Sequence, residues 1–180
     1  MTKSPGLCAV ISTLMLLSLS GCASQSTRAG ERARLKPVAV RSAAPDFEAK
    51  DASGRSFHLA DYKGKVVVLD FWATWCGPCK IEVPWFIEFE RTYKDQGFAV
   101  VGISLDDDGW EVVKPFIEAR KMNYRVALGN PQIEQLFGGG SGVESLPLTF
   151  IIDRSGKVAS RHIGLASKDE FRNEIEELLH

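Results

Sequence analysis

The chain has 180 residues, with 22 Lys or Arg against 23 Asp or Glu and a formal net charge of −1. Its basic excess lies in the first 44 residues, so the remainder is acidic and poorly suited to binding nucleic acid. Of four cysteines only Cys76 and Cys79 lie past residue 22; no structural disulfide is open to the folded part except that pair itself.

In chain order, Lys3 precedes a mostly apolar run from Leu7 to Leu19. A membrane-spanning helix needs about 20 apolar residues, so this run has the length of a signal-peptide core instead. It ends in Leu19-Ser20-Gly21-Cys22, which resembles a bacterial lipobox. That resemblance implies residues 1–21 as a lipoprotein signal peptide, taking Cys8 with it, and lipid on Cys22. The alternative is a plain secretory signal that leaves Cys22 a free thiol. Residues 22–44 carry the lipidated cysteine and a polar stretch read as a flexible, solvated tether, with five basic residues and one acid from Ala23 to Ala44.

Pro45 to His180 reads as a single α/β domain, long enough to bury a core without staples. Half-apolar runs on either side of Asp51-Ala52-Ser53-Gly54 predict a hairpin, and LADYKG a turn or single helical turn. VVVLDFW (66–72) is the pattern of a strand buried on both faces. A helix is expected from about Cys76 to Lys94, with Pro84 inside it. FAVVGISL (98–105) predicts a second buried strand, closed by an acidic turn at 106–108. GWEVVKPFIEARKM then predicts a helix, YRVAL a strand and PQIEQLF a helix opened by proline. After the GGGSG loop, LTFIID and KVASRHIG form a hairpin. SKDEFRNEIEELLH is an amphipathic helix with Ser167 as N-cap and Glu170 closing a capping box. Strands alternating with helices, then a terminal hairpin, predict a mixed sheet with helices on both faces.

A Cys-x-x-Cys at a strand-to-helix junction carries chemistry. The first cysteine sits at the helix N-terminus, where free N–H groups and the macrodipole favour a thiolate. The second lies three residues on, on the same face and within disulfide reach. Cys76 is thus the nucleophile toward a substrate disulfide, and Cys79 the thiol that resolves the mixed disulfide. Structural zinc needs four ligands; with one cysteine pair and scattered His58, His162 and His180, no metal site is expected. Asp70 interrupts a buried strand, where desolvation raises a carboxyl pKa. Glu82 follows Cys79 by one turn, on the same helical face. Either acid can take the Cys79 proton. The alternatives are a structural Asp70 bonded to backbone and a solvated early-helix Glu82. The 106–108 acids read as a solvated turn, and His162 as a surface residue.

FWATWCGPC (71–79) closely resembles the thioredoxin superfamily. The larger frame is similar to its membrane-tethered TlpA/ResA-like thiol–disulfide oxidoreductases: Pro45-Asp46-Phe47, Gly64-Lys65-Val66, Glu82-x-Pro84, and Leu146-Pro147 before Thr149-Phe150. The resemblance implies a thioredoxin-like fold with an added N-terminal β-hairpin. It makes Pro147 a cis-proline facing the disulfide, with Leu146 offering backbone to an extended substrate. Trp75, Gly77 and Pro78 complete the implied substrate surface. Thioredoxins keep a buried aspartate where Asp70 stands, and ResA-like relatives an acid where Glu82 stands. The thioredoxin lysine that accompanies the aspartate aligns with Gly102. This chain departs from the pattern by placing Leu148 after the proline and by carrying Gly138 to Ser141 as an insertion.

The implied function is an extracytoplasmic thiol–disulfide oxidoreductase, a reductant of protein disulfides with a part in cytochrome c maturation. It needs no cofactor beyond the Cys76–Cys79 couple, acts as a monomer, and draws electrons from a membrane thiol donor. The lipid would place it on a bacterial membrane, facing the periplasm or the exterior. Two alternatives share the chemistry of sulfur. A Sco-like copper chaperone would use the thiolates for Cu(I), but spaces its cysteines by three residues and adds a histidine. A thiol peroxidase would place a proline and a threonine before a lone cysteine.

Overall fold

A computed structural model describes residues 35, 36 and 38–180. The apolar run, Cys22 and the first part of the tether lie outside the described residues. Among those described, no helix is long and apolar enough to cross a membrane.

The predicted hairpin forms from β1 (Glu48–Lys50) and β2 (Ser56–His58), paired antiparallel. A one-turn 3-10 helix (Leu59–Tyr62) leads into the main sheet. That sheet holds β3 (Val66–Trp72), β4 (Phe98–Ser104), β5 (Arg125–Leu128), β6 (Leu148–Ile152) and β7 (Val158–Ile163) in the order β5-β4-β3-β6-β7. β3, β4 and β5 run parallel, and β6 and β7 return antiparallel. The helices are α1 (Gly77–Tyr93), α2 (Trp110–Arg120), α3 (Pro131–Gly138) and α4 (Lys168–Leu179).

β3 is central and buried along its whole length. Side chains alternate across a strand, so Val66, Val68, Asp70 and Trp72 face one layer and Val67, Leu69 and Phe71 the other. The first set packs with Phe86 and Phe89 of α1, Val113 of α2, and Phe171 and Ile175 of α4. The second packs with Phe47 and Phe57 of the hairpin and Ile133 and Phe137 of α3. Helices cover both faces, and the hairpin is the extra element.

Three expectations change. Lys36, Arg41, Ser42 and Ala44, in the stretch read as a solvated tether, bond to the domain. Ser42 O accepts from Val158 N at 2.8 Å, Ala44 N donates to Gly156 O at 2.9 Å, and Arg41 pairs with Asp153 at 3.0 Å. The cause is the edge position of β7, whose outward N–H and C=O groups need partners. His162, expected at the surface, is 7% exposed because α4 lies over β7, and its Nε2 sits 2.9 Å from Glu174 Oε2. The acidic turn is not merely solvated: Asp106 is half-buried and accepts from Thr74 N and Thr74 Oγ1 at 2.9 and 2.5 Å.

Candidate active site

The site lies where β3 ends and α1 begins. Cys76 is the N-cap of α1, its Sγ accepting from Cys79 N at 3.2 Å, and Pro78 occupies the first turn where its missing N–H costs nothing. Cys76 and Cys79 are joined by a disulfide with Cα atoms 5.3 Å apart. Both sulfurs sit in largely buried residues, while Gly77 and Pro78 are exposed and the Trp75 indole is 66% exposed beside them.

The approach to Cys76 is fixed by a residue the sequence did not single out for this role. Asp106, at the end of β4, takes the Thr74 backbone N–H and hydroxyl, and Ser104 Oγ at 2.8 Å. It clamps the turn that presents Trp75 and Cys76. An acid directly after a buried strand in a parallel sheet is the signal that could have found it, since ligands and active sites gather at the strands' carboxyl ends.

At the start of β6, whose Leu148 pairs with Phe71 of β3, the Leu146–Pro147 bond is cis, the isomer the resemblance implies. Pro147 O accepts from Gly164 N at 2.8 Å, which ties the proline segment to the end of β7. Ile163 and Leu165, flanking Gly164, are both exposed. Together with Trp75 they give this end of the molecule an apolar character.

Behind the cysteines lie the two acids. Asp70 is 1% exposed and Glu82 fully buried, which removes the solvated alternative for Glu82. Thr149 Oγ1 donates to Asp70 Oδ1 at 3.1 Å from the neighbouring strand, where the two residues pair in register. Ala166 N, in the β7–α4 loop, donates to Glu82 Oε1 at 3.2 Å, and Glu82 Oε2 has no partner among the described residues. Burial pushes Asp70 up to about 7, with the Thr149 hydroxyl pulling the other way. Burial, then the charge of Asp70, push Glu82 up to about 8 against the Ala166 N–H. Two carboxyls pushed up toward neutrality thus lie on the α1 side of β3, Glu82 one turn after Cys79 and Asp70 near enough for its charge to raise Glu82. Cys22 lies outside the described residues.

The AhpC/TSA family profile matches residues 40–161. Thiol-disulfide oxidoreductase ResA of Geobacillus thermodenitrificans is 33% identical over 94% of this chain and 95% of its own length. Its counterpart in Bacillus thuringiensis is 34% identical over 92% of this chain and 93% of its own. Among solved structures, a thiol:disulfide interchange protein of the thioredoxin family from Chlorobium tepidum superposes with a TM-score of 0.72 at 31% identity. It spans 78% of this chain and 97% of its own. The chain belongs to the thioredoxin-like AhpC/TSA family, alongside the ResA thiol–disulfide oxidoreductases.

Proposed function

We propose that this thiol–disulfide oxidoreductase works outside the cytoplasm as a reductant of protein disulfides, tethered to a membrane through Cys22. The observation that carries the redox chemistry is the Cys76–Cys79 disulfide capping α1 with two buried, neutral-range carboxyls behind it.

In the reduced protein the Cys76 thiolate, favoured by the α1 N-terminus, attacks one sulfur of a substrate disulfide. A mixed disulfide forms and one substrate thiolate leaves. Cys79 then gives its proton to the carboxylate of Glu82 or Asp70, and its thiolate attacks the Cys76 sulfur. The second substrate thiolate leaves, and Cys76–Cys79 is oxidised. Two electrons pass to the substrate. Trp75, Ile163 and Leu165 supply apolar contact, and the backbone at Leu146 and Pro147 offers pairing to an extended chain.

The direction rests on the Gly-Pro dipeptide. It matches thioredoxin, with a potential of ~−270 mV, rather than an oxidant such as DsbA at ~−120 mV. A reductant in an oxidising compartment needs a membrane thiol donor, which gives the lipid on Cys22 its purpose. Apocytochrome c thiols are the substrate class that the ResA-like sequence frame around Cys76 and Glu82 suggests, reached in this reading by a monomer on a bacterial membrane. Equilibration of the Cys76–Cys79 couple against defined thiol buffers tests the direction. A value near or below ~−250 mV is expected; one above ~−150 mV would make the protein an oxidant or isomerase.

A further inference from the structure

His162 and Glu174 form a buried pair that the redox steps leave unused. Glu174 lies in the middle of α4, facing β7, and is 4% exposed. Ser160 Oγ donates to its Oε2 at 2.6 Å, and His162 Nε2 sits 2.9 Å from the same oxygen. Its Oε1 has no partner among the described residues. The His162 ring meets Phe171 edge to face at 4.9 Å, and Phe171 packs on Phe86 of α1 at 5.3 Å. Stability alone does not call for such a pair, because packed apolar residues of similar volume are often neutral or stabilising replacements. What hydrogen bonds add is one geometry, since they tolerate little change in length or angle.

The stretch of chain between His162 and Glu174 carries two contacts to the site. Gly164 N donates to Pro147 O at 2.8 Å, at the cis-proline, and Ala166 N donates to Glu82 Oε1 at 3.2 Å. Ser167 then caps α4. His162 also stands in the row of the acids, pairing in register with Thr149, which pairs with Asp70. The Ala166–Glu82 bond is at the long end of the N–H···O range, so a small shift of the loop weakens it. The titratable groups around Glu82 are Cys79 on its own helix, Asp70, whose charge it feels, and Tyr124, which feels the charge of Glu82.

We propose that His162 and Glu174 are positioning residues for Glu82: by pinning α4 to β7 they hold the loop between them, and so keep Ala166 N on the Glu82 carboxylate. This rests on the reading that Glu82 takes the Cys79 proton. The N–H favours the charged form, so the held loop lets Glu82 accept at a lower pH than burial alone would set. Lys168 and Glu88 tie the start of α4 to α1 at 2.6 Å, but that pair is partly exposed and does not reach the sheet.

The test follows thionitrobenzoate release when the reduced protein meets 5,5′-dithiobis(2-nitrobenzoate). The first release reports Cys76 attack, and the second, first-order release reports Cys79 resolving the mixed disulfide. His162→Phe with Glu174→Leu should keep thermal stability at or above the parent's and leave the first release unchanged. The same double variant should raise the pH midpoint of the second release by about half a unit to one unit. Glu174→Gln, which keeps an acceptor for Ser160 and His162, should leave that midpoint in place. Ala166→Pro, which deletes the N–H, should raise it as far, and combining it with the double variant should raise it no further. Should the double variant fail to fold, Glu174→Ala set against Glu174→Gln makes the same comparison. If the variants of the pair leave the midpoint unmoved, if Ala166→Pro does, or if the two shifts add, the inference is overturned while Glu82 stands as the base. If Glu82→Gln keeps the full pH rise, Glu82 is not the base, and the inference falls with that reading.

Discussion

Two pairs of buried carboxylates in this molecule meet opposite fates. Asp51 and Asp153 open the turns of the two hairpins, in Asp-x-Ser-Gly-Arg and Asp-x-Ser-Gly-Lys. Each is buried, and each accepts from the hydroxyl and N–H of the serine two residues on and from the N–H four residues on. Asp51 adds the guanidinium groups of Arg55 and Arg125 at 3.4 Å, and Asp153 adds Arg41. The Ser53 hydroxyl leads the donors that hold Asp51 below its usual range against burial. At Asp153, burial pulls upward, and Ser155, Lys157 and Arg41 together outweigh it. Asp70 and Glu82 are at least as buried but receive one hydrogen bond each. Burial therefore wins, and they rise to about 7 and about 8. Donor count, not depth, separates carboxyls held below their usual range from carboxyls pushed up toward neutrality.

The largest break in this contrast comes from replacing the raised pair, Asp70 and Glu82. Asp70→Asn with Glu82→Gln should cut the rate at which Cys79 resolves a mixed disulfide by roughly 10²–10⁴-fold, while Cys76 attack continues. Acid quenching and mass spectrometry should then show the mixed disulfide accumulating. In the parent the resolving rate should climb with pH as the acids ionise through 7–8, and the double variant should lose that rise.

Stability follows with opposite signs. A carboxyl whose folded pKa is raised contributes stability in full below its unfolded value near 4, and loses it as pH rises toward 7–8. Asp70→Asn should therefore stabilise the oxidised protein at pH 8 by about 2 kcal/mol or more, and little at pH 3. The lowered carboxylates stabilise above their unfolded value and lose that contribution as pH falls. Asp51→Ala should cost about 1–3 kcal/mol at pH 7 and less at pH 3. Denaturant melts at the two pH values check both.

The smallest effect sharpens the contrast from inside the site. Thr149→Val keeps the shape and removes the only donor to Asp70 among the described residues. The midpoint of the pH–rate profile should move up by about half a unit to one unit, since a hydrogen bond to the charged form is lost.

What the sequence made legible was local. The Cys76 cap, the Pro78 first turn, the buried run of β3 and the Ser167 capping box all follow from spacing within a few residues. Glu82 was placed on the Cys79 face by helical period, but its depth was not legible. That depth comes from packing across the molecule: the β7–α4 loop, 84 residues away, brings Ala166 N to it. Asp70 was legible as buried because it interrupts an apolar run. Thr149, which donates to it, comes from strand pairing that no local pattern fixes. His162 and the residues Arg41 to Ala44 depart from the sequence expectation for the same reason, since α4 buries one and the β7 edge binds the others.

The most direct test is a residue-resolved carboxyl titration of the reduced protein by carbon-13 NMR. Asp70 and Glu82 should titrate near 7 and 8, while Asp51 and Asp153 titrate below their usual range. Midpoints near 4 for both Asp70 and Glu82 would contradict it, and would leave Cys79 without a base that works at neutral pH.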